Sequence, residues 1–131
     1  VSDLSTKGAA FAEFWRERHL CTLTTVRPDG TPHVVPVGVT LDLDEGIARV
    51  ITDGDSAKAR QLRAAGKVHA AVCQVDGRRW STLEGVATLN EEPHAIADAV
   101  SRYAERYRTP RVNPNRVVLE IAVTRVLGNV D

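Results

Sequence analysis

The chain reads as an α+β domain, mainly β: a six-stranded antiparallel barrel with helices at its rims. Three observations lead there. Six β-rich runs are joined mostly by hairpin-type turns. The helical patterns sit at the ends and between pairs of strands, with no regular βαβ alternation. No glycine-rich fingerprint follows the first strand, so the order does not suit a dinucleotide-binding fold.

The elements follow in chain order. From Leu4 to about Arg18, Leu4, Ala9–Phe11, Phe14 and Trp15 recur at helical spacing among charges, giving an amphipathic first helix. "HLCTLTTVRPDGTPHVVPVGVTL" then places two strands around Pro28-Asp29-Gly30, where proline presets φ and glycine accepts positive φ. "GIARVIT" is the third strand, Asp55 to Ala65 a short helix, and "KVHAAVCQV" the fourth strand. A turn at Asp76-Gly77 leads into the fifth, "RWSTLEGVATLN". Pro93 opens a helix with Ile96, Val100, Tyr103 and Tyr107 on one face. After "RTPRVNPNR", residues 117–127 alternate as a long final strand. Pro36 lies inside the second strand with Gly38 just beyond. That pair implies an edge or a bulge, either at a barrel corner or at a place where a flat ring could lie against bare backbone.

At 131 residues the chain fits one domain, spanning 1–131, with one core. Seventeen basic residues balance seventeen acidic ones, so no global field draws in nucleic acid or an anionic membrane. No apolar run is long enough to span a bilayer, and no signal-peptide pattern opens the sequence. Cys21 and Cys73 lack metal or redox spacing and read as buried thiols in a reducing compartment. The expectation is a soluble cytoplasmic protein. His19, His33, His69 and His94 are scattered without ligand spacing, so no metal site is expected. No catalytic triad can be assembled either, and any redox chemistry falls to a bound cofactor.

The chemistry-bearing stretch is "RVITDGDSAKARQLR". Asp55 or Ser56 suits the N-cap of the helix carrying Lys58 and Arg60. Capping alone leaves the cations unexplained, because the helix dipole disfavours positive charge in the first turn by about a few tenths of a kcal/mol. A bound phosphate would reverse that sign. Arg49, at the far end of the preceding strand, could add a fork of donors to the anion. Glu84 and Glu120, in strands, read as partners of arginines. Trp80 reads either as a core or interface anchor, or as a stacking platform. The arginines at 102, 106, 108, 111 and 116 read either as a solvated face or as a carboxylate-recognition cluster.

The order "LTTVRPDGTPHVVPVGV", "ARVIT", Ser56-x-Lys58, "QVDGRRW", "LEGVATL" resembles the flavin/deazaflavin split β-barrel oxidoreductases, the relatives of pyridoxamine phosphate oxidase. Through "QVDGRRW", "RYRTPR" and "NPNRVVLE", it is most similar to the actinobacterial F420-dependent biliverdin reductase-like group. The resemblance implies a homodimer of split barrels with two cofactor sites between subunits. It places the ring along His33, Val34, Val35, Pro36 and Val37. Arg49, Val50, Ile51 and Thr52 run beside the ring and its ribityl-like chain, and Ser56 and Lys58 hold the phosphate. Gln74 and Trp80 match positions where the partner strand approaches the cofactor. The implied activity is hydride transfer from reduced coenzyme F420 to a planar conjugated acceptor, with biliverdin first among candidates. Arg108 and Arg111 are expected to meet its carboxylates. The alternatives are an FMN-dependent oxidoreductase on the same fold, or a protein that binds F420, flavin or haem without turnover.

Overall fold

The computed structural model describes residues 3–130. After a single 3₁₀ turn at Ser5–Lys7, the elements are α1 (Ala9–Phe14), β1 (Cys21–Val26), β2 (Pro32–Val37), β3 (Thr40–Asp42) and β4 (Ile47–Asp53). They continue with α2 (Ala57–Ala65), β5 (Lys67–Asp76), β6 (Arg79–Asn90), α3 (Pro93–Arg106) and β7 (Arg116–Gly128). The strands form one antiparallel sheet of seven, in the order β2-β1-β5-β6-β7-β4-β3.

Two expectations are corrected here. Among the described residues there are seven strands, not six, and the sheet is not closed, because β2 and β3 each keep an unpaired edge. Both differences arise at Gly38. The second apolar run divides there: β2 pairs with β1, while β3 pairs with β4 at the far end of the sheet. A Cβ on Gly38 would lie 2.8 Å from the Tyr103 ring, so only glycine lets the chain turn beneath α3 at this point. Pro36 is accommodated without a bulge, since β2 is an edge strand and its register with β1 runs unbroken. The first helix is also shorter than its apolar pattern suggested. Gly8, at φ 102°, separates the 3₁₀ turn from α1.

Period-two alternation fills one core. Leu23, Val72, Leu83 and Ile121 point inward from β1, β5, β6 and β7 and are fully buried. Phe11, Phe14 and Trp15 of the α1 region join them, and the Trp15 indole N–H donates to Ser81 Oγ at 3.1 Å. Each such buried side chain contributes about 1.5–3 kcal/mol. Helix α3 packs on β3, β4 and β7, and α2 on β5 and β6. The opposite face of β2, β1, β5 and β6 carries no described helix. Its registers align Val34, Thr24, Ala71, Glu84 and Arg125 in one row, and Pro36, Thr22, Cys73, Thr82 and Leu127 in the next. No described helix is long and apolar enough to cross a membrane.

Candidate cofactor cleft

The start of α2 is built from hydroxyls. Ser56, in extended conformation, accepts the Ala59 N–H at 3.2 Å and so caps the helix. The Thr52 hydroxyl at the end of β4 donates to Ser56 Oγ at 3.1 Å, tying strand end to helix start. Two residues on stands Lys58, half-buried, with no carboxylate within 4.0 Å among the described residues. Burial, with nothing to offset it, pushes its pKa below the ordinary 10.5.

Lys58 faces a cleft of about 260 Å³. It is lined by the end of β2, Pro36 to Gly38, and by Ile51, Thr52 and Asp53 of β4. Tyr103 of α3 closes one side, while Pro110, Asn113 and Arg116 close another. The fold therefore gathers Pro36, Val37, Ile51, Thr52 and Lys58 from three separate elements, with Ser56 bonded to Thr52 at the margin. The exposed pyrrolidine of Pro36 and the bare Gly38 give this wall a flat surface.

Other expected residues lie elsewhere. Arg49 is spent within the protein: it pairs with Asp42 at 3.2 Å and approaches Glu120 at 4.0 Å, with only 12% of its side chain exposed. The Val50 side chain belongs to the core. Gln74 is fully buried. Its amide N–H donates to the Phe14 carbonyl at 2.7 Å, and its oxygen accepts from Arg106 and from the Cys21 thiol. No surface of it remains for a ligand. Val35 packs on the core, whereas Val34 stands out on the bare sheet face. His33 turns toward a separate hollow of about 570 Å³ between the β1–β2 turn and α2. Its Nδ1 is buried without a hydrogen-bond partner. Trp80 is 39% exposed near the β5–β6 turn, outside the cleft.

The arginine cluster divides. Arg102 pairs with Asp98 at 2.9 Å and Asp42 at 3.4 Å. Arg106 is buried, donates to the carbonyls of Glu17 and Val39, and lies against the rings of Trp15 and Tyr107. Neither is available to a substrate. Arg108 and Arg111 are exposed on the segment that also carries Pro110 to the cleft. Glu84, as expected for a strand carboxylate, lies 4.0 Å from Arg125. Cys21 is buried, which pushes its thiol up to about 11, but Cys73 is only half-buried. Glu17, His19 and Asp76 gather closely enough for a metal, yet Arg79 bridges Glu17 and Asp76 and already supplies the positive charge. Tyr103, expected only on the apolar face of its helix, and Asn113, expected in no role, are further lining residues. Both reach the cleft from elements distant in sequence.

A half-buried lysine left unneutralised at a helix start is an arrangement found in proteins that receive an anionic ligand. The chain matches the pyridoxamine 5'-phosphate oxidase family over residues 8–129 and belongs to that family. It is 54% identical over 118 residues to the F420H(2)-dependent biliverdin reductase of Mycobacterium tuberculosis (strain CDC 1551 / Oshkosh), covering 90% of this chain and 85% of that protein. Among solved structures, the conserved hypothetical protein Rv2991 from Mycobacterium tuberculosis superposes with a TM-score of 0.78 at 26% identity, covering 99% of this chain and 88% of that one. A structure titled "F420 Reductase" shares the fold, with a TM-score of 0.72 at 22% identity, covering 92% of this chain and 98% of that one.

Proposed function

We propose that this protein is an F420H2-dependent reductase that passes a hydride to a planar conjugated acceptor, biliverdin foremost. The observation that carries the site is Lys58: a desolvated cation, unpaired among the described residues, beside the Ser56 cap at the head of a cleft with a flat wall. The cofactor and acceptor are those named for the relative at 54% identity. The residues fit the cofactor in kind. Lys58 and the Ser56 hydroxyl suit a phosphate group, and the Pro36–Gly38 strip suits a ring. When bound, F420H2 supplies the hydride. The chain's own residues bind and orient, and Tyr103 and Ile51 help keep water from the cleft. Arg108 and Arg111, exposed on the segment that carries Pro110 to the cleft, would meet carboxylates of the acceptor.

The assembly in this reading is a homodimer. Val26, Val34, Val75, Trp80 and Leu127 are each 39% or more exposed on one helix-free sheet face. A second copy is the occupant that suits it. Pro36 belongs both to this face and to the cleft, so a partner seated there would adjoin the cleft's open side. Competitive fluorescence titration tests the cofactor assignment. F420 should bind more tightly than FMN, and equal or tighter FMN binding would make the protein an FMN-dependent one.

A further inference from the structure

Asp53 and Arg116 are register partners across the β4–β7 ladder. Opposite charges so placed ordinarily pair. Here they make no contact within 4.0 Å and interact only at longer range, because the oxygens of Asp53 are already occupied. Its Oδ2 accepts the Asn113 amide at 3.0 Å, and its Oδ1 accepts the Asn115 amide at 3.1 Å and the Asp55 N–H at 2.7 Å. The Asn113 amide foremost, then the Asp55 N–H, with smaller contributions from Asn115 and the charge of Arg116, hold this carboxyl below the usual range. Arg116 spends one nitrogen, Nη2, on the Arg111 carbonyl at 2.8 Å. Among the described residues no carboxylate lies within 4.0 Å of its guanidinium, and its Nε and Nη1 have no partner. Half-buried, it lines the same cleft as Lys58.

Two cations from elements far apart in sequence thus share one small cleft; Asp53 lines it too, but neither cation makes a contact within 4.0 Å with it. An anion held in this partly desolvated space would be attracted to both cations. A guanidinium fork is also shaped to take two phosphate oxygens at once. We propose that Arg116 is the second cation of the phosphate site, acting with Lys58, and that the Asp53–Asn113–Asn115 clamp keeps it available by occupying the carboxylate that would otherwise claim it. The proposal rests on the F420 reading above.

The test is fluorescence titration of F420 and of its phosphate-free deazariboflavin core against the wild type, Arg116→Gln, Arg116→Lys and Lys58→Gln. Arg116→Gln should weaken F420 about tenfold and leave the phosphate-free core unchanged, with Arg116→Lys in between. Equal weakening of both ligands would make Arg116 merely structural and overturn the proposal. Unchanged F420 affinity in Arg116→Gln, with Lys58→Gln still weakened, would also overturn it while leaving the phosphate site at Lys58. Unchanged affinity in both variants would place the phosphate elsewhere and remove the F420 site reading as well.

Discussion

The Tyr107 hydroxyl accepts the Val39 N–H at 3.1 Å and donates to the His19 carbonyl at 2.5 Å. This one group pins the β2–β3 link to the end of α3 and to the segment before β1. Arg106 grips the same link through the Val39 carbonyl. The flat wall from Pro36 to Gly38 is therefore held in place by residues that do not line the cleft. Tyr107→Phe should cost about 1–3 kcal/mol by leaving two partners unmet, and should weaken F420 binding as the wall loosens. Thermal melts and titration together check this. An unchanged melting temperature would show that the link is held without the hydroxyl.

Lys58 gives a prediction in pH. Burial disfavours its charged form, so its folded pKa lies below 10.5. The fold therefore bears the cost of a buried charge at low pH and loses that cost as pH rises past this pKa. Anion binding has the opposite dependence. F420 affinity should be full where Lys58 is protonated and fall as pH rises through its pKa. Lys58→Ala should remove this dependence, weaken binding about ten- to a hundredfold and leave the fold intact. A wild-type affinity that stays flat up to pH near the ordinary lysine value would separate Lys58 from the ligand.

Val75 is 61% exposed on the helix-free face. In a monomer, Val75→Glu should change stability by no more than about 0.5 kcal/mol. In the proposed dimer it buries a charge at the interface. Light scattering should give a dimer for the wild type and a monomer for the variant. A wild-type monomer that still binds cofactor at micromolar concentration would remove the shared-site assembly.

The two exposed arginines beside the cleft should act on the acceptor alone. Arg108→Ala and Arg111→Ala should raise KM for biliverdin with little change in F420 affinity. Equal KM values across wild type and variants would return both to a solvated surface.

Much of the fold was legible because its signals are local. Alternation in "KVHAAVCQV" and the turn at Asp76-Gly77 locate β5 and β6 without reference to the rest of the chain. The same alternation puts Gln74 on the inward face with Ala70 and Val72, a local signal against the ligand role that its position in "QVDGRRW" implies. β3 was not legible. Its three residues follow Gly38 with no turn sequence, and its partner is a strand beyond another loop. In the cleft, Ser56 and Lys58 could be read from a single helix start. Arg49 could not be judged without knowing that Asp42 and Glu120 would neutralise it. Asn113 and Arg116 are brought to Asp53 only when β7 pairs with β4, so sequence spacing gives no hint of Asn113 and shows Arg116 only as one of an arginine cluster.

The most direct test of the central claim is anaerobic steady-state turnover of biliverdin by the wild-type protein with reduced F420. The account predicts that F420H2 is oxidised in step with loss of biliverdin, and that Lys58→Ala slows the reaction at limiting F420H2. F420 that binds tightly while neither it nor biliverdin changes would contradict the account and make this chain a cofactor-binding protein without that activity.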